Sequence, residues 1–408
     1  MTITLHHGIA TASPSRAEHL LAVCALATAL VVTFPHSALA QVPPVDLGLL
    51  SCCENGSFAY AVNANRQVVG DSYSSPWGGN AFSWSAAGGM VDLGTLGGTF
   101  SSAWAVNDTG QVVGYSCLEG DNACHAISWT QTGGMVDLGS LGGSTSWAVA
   151  VSATGHVAGN SAVAGDVAMH AFVWTEAGGM VDLGTLGGSQ SNAVAVNATG
   201  QVSGTSMLAG DVAAHAFLWT EAGGMVDLGT LGGNYSYAYA VNAYGQVTGS
   251  STLAGDVAMH AFLWTEASGM VDLGTLGGTN SYAWAVNDHG QVVGSSWIAG
   301  DREEHAFSWS HASGMLDLHT LGGTYVSYAV AVNAVGQVVG NVWGEGRQYA
   351  FSWTESAGTV HLVSIGGDDN DAAVYAVNDK GEVVGYSFNR ATLWNVPVEA
   401  SISASPGN

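Results

Sequence analysis

The nine residues MVDLGTLGG at positions 225–233, entered from HAFLWTEAGG at 215–224, decide how the rest of the chain is read. Nearly the same words return at a fixed interval. The Asp-Leu-Gly segment stands at Asp46, Asp92, Asp137, Asp182, Asp227 and Asp272, varies to Asp-Leu-His at Asp317, and is worn to His361-Leu362 in a last copy. From Asp92 to Asp317 the spacing is 45 residues every time. Each copy is followed by an Ala-Val-Asn segment such as 105–107, a Gly-Gln-Val-Val-Gly segment such as 110–114, and a His-Ala-Phe-x-Trp segment such as 170–174. The last of these opens at Asn80, His125, His170, His215, His260, His305, Tyr349 and Arg390, eight times in all. A period of this size is the mark of a repeat architecture, in which one supersecondary unit buries its apolar face only against its neighbours.

Within a unit the residues read as short strands. Tyr282-Ala283-Trp284-Ala285-Val286 alternates large and small side chains, the period-2 pattern of a strand with two unlike faces. Asn287-Asp288-His289-Gly290 supplies a turn before Gln291-Val292-Val293-Gly294. The aromatic His-Ala-Phe-Leu-Trp segment is β-prone, the Glu-Ala-Gly-Gly at 221–224 turns again, and Met-Val-Asp-Leu makes a fourth strand. Four strands in about 45 residues is the content of one propeller blade. The sequence therefore predicts an all-β, eight-bladed β-propeller of four-stranded antiparallel blades over residues 41–394, with a β-solenoid as the alternative. The chain starts this region with a fourth-strand segment, residues 45–47, and ends it with a third-strand segment, 391–394. An open ring exposes sheet edges, so the N-terminal strand is expected to complete the last blade. Residues 395–408, rich in Ser and Pro, are expected to form a flexible tail.

Composition narrows the function classes. Charged residues make up 9% and hydrophobic residues 47%, which argues against disorder. Asp and Glu number 31 against 6 Lys and Arg, a formal net charge of −25. Such a surface repels phosphate, so nucleic acid is excluded as a partner and anionic lipid is disfavoured; divalent cations, neutral glycans and basic proteins stay open, and a monomer is expected. At the N-terminus Arg16 precedes the apolar run 20–34, and Ala38-Leu39-Ala40 has the small residues a signal peptidase reads. Residues 1–40 are thus expected to be a signal peptide and the protein to be secreted, with the periplasm or cell surface as alternatives, and no membrane span after cleavage. Export permits disulfides. Cys117 and Cys124 flank a loop between antiparallel strands and are expected to bridge, while the pairing of Cys52 and Cys53 stays open.

In its copies of His-Ala-Phe-x-Trp followed by Gly-Met-Val-Asp-Leu-Gly-Thr-Leu-Gly-Gly, the chain resembles the HAF repeat family, a group of extracellular bacterial repeat proteins. The resemblance spans residues 45–394 and departs at both ends, with Asn80 and Ser51-Cys52 in the first unit and Arg390 and His361 in the last. It implies export and repeats and brings no activity. The paired glycines and strand order are also similar, more weakly, to Kelch propellers.

The recurrent histidines are too dispersed, one per blade, to share a metal with bonds near 2 Å. They and the Asp of each Asp-Leu-Gly are expected to hydrogen-bond turns, and the recurrent Trp to pack between blades. Variable positions are better site candidates. Phe100, Tyr235, Tyr237, Tyr282 and Tyr325 fall in segments expected to be loops between fourth and first strands, where aromatic and polar residues suit stacking on sugars or docking on proteins. Asp368, Asp369 and Asp371, with Asn370, form an acidic turn of the hard-oxygen kind that calcium prefers, the one cofactor the sequence suggests. No catalytic constellation of acid, base and nucleophile is legible. The expected function is a non-catalytic extracellular binding or adhesion scaffold for glycan or protein, with an extracellular propeller enzyme acting on polysaccharide, a hydrolase or lyase, as the alternative.

Overall fold

The alternation read from the sequence becomes strands throughout a computed structural model of the chain, which describes residues 43–50, 55–75, 78–318, 326–344, 346–366 and 371–398. The signal-peptide expectation for residues 1–40, Cys52, Cys53, Tyr325, Asp368 and Asp369 lie outside the described residues. The described residues are all-β and contain no helix. No helix among them is long and apolar enough to cross a membrane.

One unit shows how the sequence makes the fold. Gly232–Val241, Val247–Leu253, Met259–Thr265 and Gly269–Asp272 follow one another as a four-stranded antiparallel meander. The first strand slips register between Ala238 and Ala240, and the equivalent slip recurs in the other units. Such a bulge bends the strand and deepens its twist. The glycine that closes each Val-x-Gly segment has a steric reason. At Gly249, a Cβ would collide with the carbonyl oxygen of Tyr237 on the paired strand. At Gly233 it would meet the carbonyl oxygen of Leu253 at 2.6 Å, so the chain can pass from one unit to the next there only without a side chain.

The core lies between units. Ala216, Leu218 and Leu228 of one unit pack with Ala238, Val247 and Phe262 of the next, and like clusters recur at neighbouring junctions. The Phe of His-Ala-Phe-x-Trp is fully buried at Phe82, Phe172, Phe217, Phe262 and Phe307, with Ile127 in its place in one unit. Burying a side chain of that size contributes about 1.5–3 kcal/mol, and it can do so only when a neighbour covers it. The Trp four residues after the His is more variable, buried at Trp84, Trp309 and Trp394 and half-buried at Trp174, Trp219 and Trp264.

Two sets of polar contacts repeat with the same period. His125, His170, His215, His260 and His305 place Nδ1 2.8–3.0 Å from the carboxylates of Asp137, Asp182, Asp227, Asp272 and Asp317 twelve residues on. The same Asp accepts a bond from the backbone N–H two residues later, Gly229 on Asp227 at 2.8 Å, which shapes the turn after the fourth strand. The second set joins neighbours. The Nδ2 of Asn63, Asn107, Asn197, Asn242, Asn287 and Asn333 donates to the backbone carbonyl of the equivalent residue one unit later, at 2.8–3.0 Å. Ser152 stands where Asn would bridge to Asn197, and Thr154 donates instead to the Ala198 carbonyl at 2.8 Å.

First and last units also meet. Val45–Asp46 pairs antiparallel with Arg390–Asn395 in the register Val45 to Leu393 and Asp46 to Thr392. Arg390 donates to Asp46 at 3.0 Å, as histidine does in the central units. Asn378 Nδ2 donates to the Asn63 carbonyl at 2.9 Å, and Arg66 pairs with Glu382 at 3.1 Å. Leu47, Leu50, Phe82 and Trp84 share a buried cluster with Val384, Ala391 and Leu393. The strand ending the last unit continues through Asn395, and Val396 is buried with its N–H on the Gly381 carbonyl.

Cys117 and Cys124 are register partners at the base of the hairpin between second and third strands, and they form a disulfide.

Candidate functional site

The first strands of successive units lie side by side, and residues 372–377 lie beside residues 56–62. Alternate residues of these strands therefore share one face across neighbouring units. Two aromatic arcs lie along it, the longer one reaching onto second strands through Tyr73, Tyr115 and Tyr386. In one, the rings of Tyr239 and Trp284, from adjacent units, lie 4.6 Å apart, and Tyr282 stacks on Trp284 with its plane 21° away. The Tyr239 hydroxyl is 3.2 Å from the Ser250 hydroxyl, while the Trp284 indole N–H donates to Ser295 at 3.5 Å. Trp284 remains 38% exposed, so its ring is available to a ligand.

The other arc spans the last, first and second units without a break. It runs Tyr60, Tyr375, Tyr386, Phe58, Tyr73, Phe100, Tyr115 and Trp104, with successive centroids 4.9–6.1 Å apart. Beneath it lies Asp71, 2% exposed. Asp71 Oδ2 accepts from the Tyr73 hydroxyl at 3.1 Å and the Ser102 hydroxyl at 2.9 Å, and Oδ1 accepts from the Ala103 N–H at 3.1 Å. Burial pushes the carboxyl up to about 7, although hydrogen bonds from Ser102, Ala103, Tyr73 and Tyr60 pull the other way. The phenols respond in turn. Burial and then the Asp71 charge raise Tyr73 to about 12 and move Tyr60 and Tyr115 in the same direction. Burial raises Tyr375 to about 12 as well, with Tyr386 adding to it.

The sequence-derived site residues are only partly assembled. Phe100, Tyr235 and Tyr237, expected on loops, and Tyr282, which also opens the alternation read as a strand, all lie on ten-residue strands, because backbone pairing extends back to the paired glycines. Phe100 pairs with Gly79 and Tyr235 with Ala214 in single parallel bridges between neighbouring units. Phe100 belongs to the long arc and Tyr282 to the short one; Tyr237 is half-buried on the first strand before Tyr239. Asp371 immediately precedes the last unit's first strand, Ala372–Val377, its N–H on the Gln348 carbonyl. Among the described residues no group of three or more His, Cys, Asp or Glu is placed to hold a metal ion. Asp71, Tyr60, Trp104, Tyr239 and Trp284 were not singled out from the sequence. The signal was there in the column after Gly-x-Val-Val-Gly, where Asp71 is the single carboxylate among Tyr115, Asn160, Thr205, Ser250, Ser295, Asn341 and Tyr386.

A cleft of about 540 Å³ opens elsewhere, between the turn tips of neighbouring units, lined by His289, Gln291, Ser308, Leu316, Val335 and Trp353. A smaller gap of about 260 Å³ recurs at the matching junction around Asn65, Gln67 and Asp108. Its recurrence marks it as a seam of the repeat.

No family model matches the chain. No curated protein matches it either. Solved structures do. A prolyl endopeptidase, from a study of two such enzymes and the role of inter-domain dynamics in catalysis and specificity, matches with a TM-score of 0.53 at 10% identity, over 81% of this chain and 54% of that one. The β-propeller domain of the Trilobed protease from Pyrococcus furiosus matches at TM-score 0.48 and 8% identity, over 78% of this chain and 99% of that one. Dipeptidyl peptidase 4 of Porphyromonas gingivalis matches at 0.48 and 12%, over 85% and 60%. The chain spans about half the length of the prolyl endopeptidase. The first of these likenesses shows the fold: antiparallel four-stranded blades of a β-propeller. The expectation of a non-catalytic binding or adhesion scaffold for glycan or protein is corrected by the first of these neighbours, which is a prolyl endopeptidase. This chain is similar in fold to the propeller of a prolyl endopeptidase.

Proposed function

We propose that the protein is a peptidase-type propeller that takes extended polypeptide onto the shared face of its first strands and serves peptide-bond hydrolysis. The exposed ring of Trp284, flanked by Tyr239 and Tyr282 on adjacent first strands, carries the reading. Flat, pre-ordered rings with hydroxyls at their edges suit the prolyl and aromatic side chains of an extended chain, at little entropic cost. The fold likeness to a prolyl endopeptidase supports the same class. Polysaccharide hydrolysis would ask for two facing carboxylates. Among the described residues the first strands carry none, and the second strands carry Asp71 and Glu382, four strand positions apart in the repeat register.

The architecture we propose for this role is a ring of eight blades closed by the N-terminal strand. It is supported by the pairing of Val45 and Asp46 with the last strand and by the Asn378 bond to Asn63. We place the chain with the HAF-type repeat proteins and outside the cytoplasm, on the strength of its recurrent motif, residues 16–40 and the Cys117–Cys124 disulfide.

The test is a titration of the purified protein with a library of fluorescent proline-containing and aromatic peptides, followed by anisotropy, with cleavage read by mass spectrometry. Binding is expected, with affinity reduced about tenfold in Trp284→Ala. Binding of oligosaccharides with none of peptides, or peptide binding indifferent to Trp284, would overturn the proposal.

A further inference from the structure

Asp71 is a carboxylate in a place where the repeat otherwise puts a neutral residue. Asn160 and Asn341 occupy the same position in other units, and they show what the position does structurally. Asn160 Oδ1 accepts the Ala193 N–H at 2.7 Å, and its Nδ2 donates to the Ala193 carbonyl at 3.3 Å. Asn341 makes the same pair with Val374, at 2.8 and 3.0 Å. An ionised Asp71 keeps the first bond, to Ala103, and cannot make the second. As a staple between units it is therefore the poorer choice.

The charge also has no cationic partner among the described residues. Six Lys and Arg serve the whole sequence, and Arg66 and Arg390 are paired with Glu382 and Asp46. Among the described residues Asp71 receives neutral donors, from Tyr73, Ser102, Ala103 and Tyr60. A buried charge without a counter-ion is costly. Around it stands the long arc of aromatic rings, drawn from three units, with Tyr60 and Tyr375 half-exposed at the shared face. Ring faces carry negative potential and attract cations within about 6 Å, and substituted ammonium groups are bound by aromatic cages in this way.

We propose that the arc around Asp71 is a binding site for a substituted ammonium group, seated on the faces of Tyr60, Phe58 and Tyr73 with Asp71 as its counter-ion. Ammonium of this kind comes either as a lysine side chain of a polypeptide or as a small quaternary amine. The first source rests on the peptide reading above, and the second does not. The groups facing Asp71 are all neutral near pH 7: Tyr60 and Tyr73 of its own unit, Tyr115 and Ser102 of the second, with Tyr375 and Tyr386 of the last behind them. The cation thus meets one ionisable partner, and binding should release a proton from Asp71 and strengthen as pH rises.

The experiment is calorimetric titration of the purified protein with choline, with its uncharged isostere 3,3-dimethylbutan-1-ol, and with tripeptides bearing lysine or acetyl-lysine, between pH 5.5 and 8.5. Asp71→Asn is the matched variant, since the fold accepts Asn at the equivalent positions 160 and 341. Choline is expected to bind, about tenfold more tightly at pH 8 than at pH 5.5. The isostere is expected not to bind, and Asp71→Asn to lose about tenfold in affinity along with the pH dependence. Choline binding without lysyl-peptide binding would keep the site and remove the peptide as its source. Peptide binding unchanged by Asp71→Asn, or no difference between choline and its isostere, would overturn the site and leave the peptidase-type reading standing.

Discussion

The chain of asparagine bridges allows an internally calibrated test at Asn242, which is 5% exposed. Its Nδ2 donates to the Asn287 carbonyl at 3.0 Å, and its Oδ1 accepts the N–H groups of Tyr244 and Gln246, each at 3.0 Å. Its Nδ2 also donates to Gln246 Oε1 at 2.6 Å. Replacing it with Ala removes four bonds at once. A net hydrogen bond contributes about 1 kcal/mol, so the loss should be about 4 kcal/mol, and more if a backbone group is left dry. Serine divides that sum. In the natural Ser152, the hydroxyl accepts the His156 N–H at 3.1 Å, doing for its turn what Asn242 does for Gln246. Asn242→Ser should therefore keep part of the turn and lose the bridge to the next unit, costing about 1–2 kcal/mol. Ser152→Asn should run the other way, adding a bridge to the Asn197 carbonyl and contributing about 1 kcal/mol. Urea denaturation followed by circular dichroism reads all three as shifts in midpoint at constant slope. If Asn242→Ser proves as stable as the parent, the bridge between units adds nothing and the reasoning fails.

Removing residues 41–50 should lower the melting temperature by 5 °C or more (about 3 kcal/mol or above by buried apolar area), because Leu47 and Leu50 leave the cluster with Phe82 and Leu393 and Arg390 loses Asp46; scanning calorimetry showing no change would count against closure by that strand. Asp71 predicts a pH dependence with a definite sign. Its folded value, about 7, lies above the unfolded value near 3.9, so its contribution is full below pH 4 and is lost as pH rises through 7. Stability should fall on the order of 3 kcal/mol between pH 5 and pH 8, and Asp71→Asn should flatten that stretch of the curve in denaturation series. Reducing Cys117–Cys124, which closes a short loop, should cost about 2 kcal/mol and leave the fold intact, since Ala162 and Met169 fill the same register positions one unit later. A reduced protein that loses its near-ultraviolet circular dichroism would contradict this.

Much of the architecture was legible because each unit repeats the same physical solution. Alternation in 282–286 gave away a two-faced strand, and the flanked loop between Cys117 and Cys124 gave away a disulfide. The start of the first strand was not legible. Gly277 and Gly278 look like loop, yet the backbone already pairs Gly277 with Ile298; Gly277 holds a φ of +99°, and a Cβ at Gly278 would collide with the Trp297 carbonyl oxygen at 2.6 Å. Histidine and aspartate were each assigned to turns, and the structure also joins them to one another, since the hairpin between third and fourth strands sets Asp227 opposite Phe217, two residues along the same strand from His215. The aromatic arcs escaped notice for a related reason. Alternation tells that Tyr239 and Ala238 point to opposite sides, but which side faces the neighbouring first strands depends on the bulge after Ala238 and on how units pack.

The asparagine bridges carry a consequence for how such a chain can change over generations. Each Asn offers its amide to the unit ahead and its carbonyl to the unit behind, through atoms whose identity does not depend on which unit supplies them. A crossover between two near-identical copies, say at Asn197 and Asn242, would delete or duplicate one whole unit and leave donor and acceptor still matched at the new joint. Recombination within the reading frame would then alter the number of units before it altered the chemistry that holds them. Ser152 and the Arg390–Asp46 pair are the places where such interchange leaves a mismatch. They would act as fixed bookmarks in an otherwise editable text.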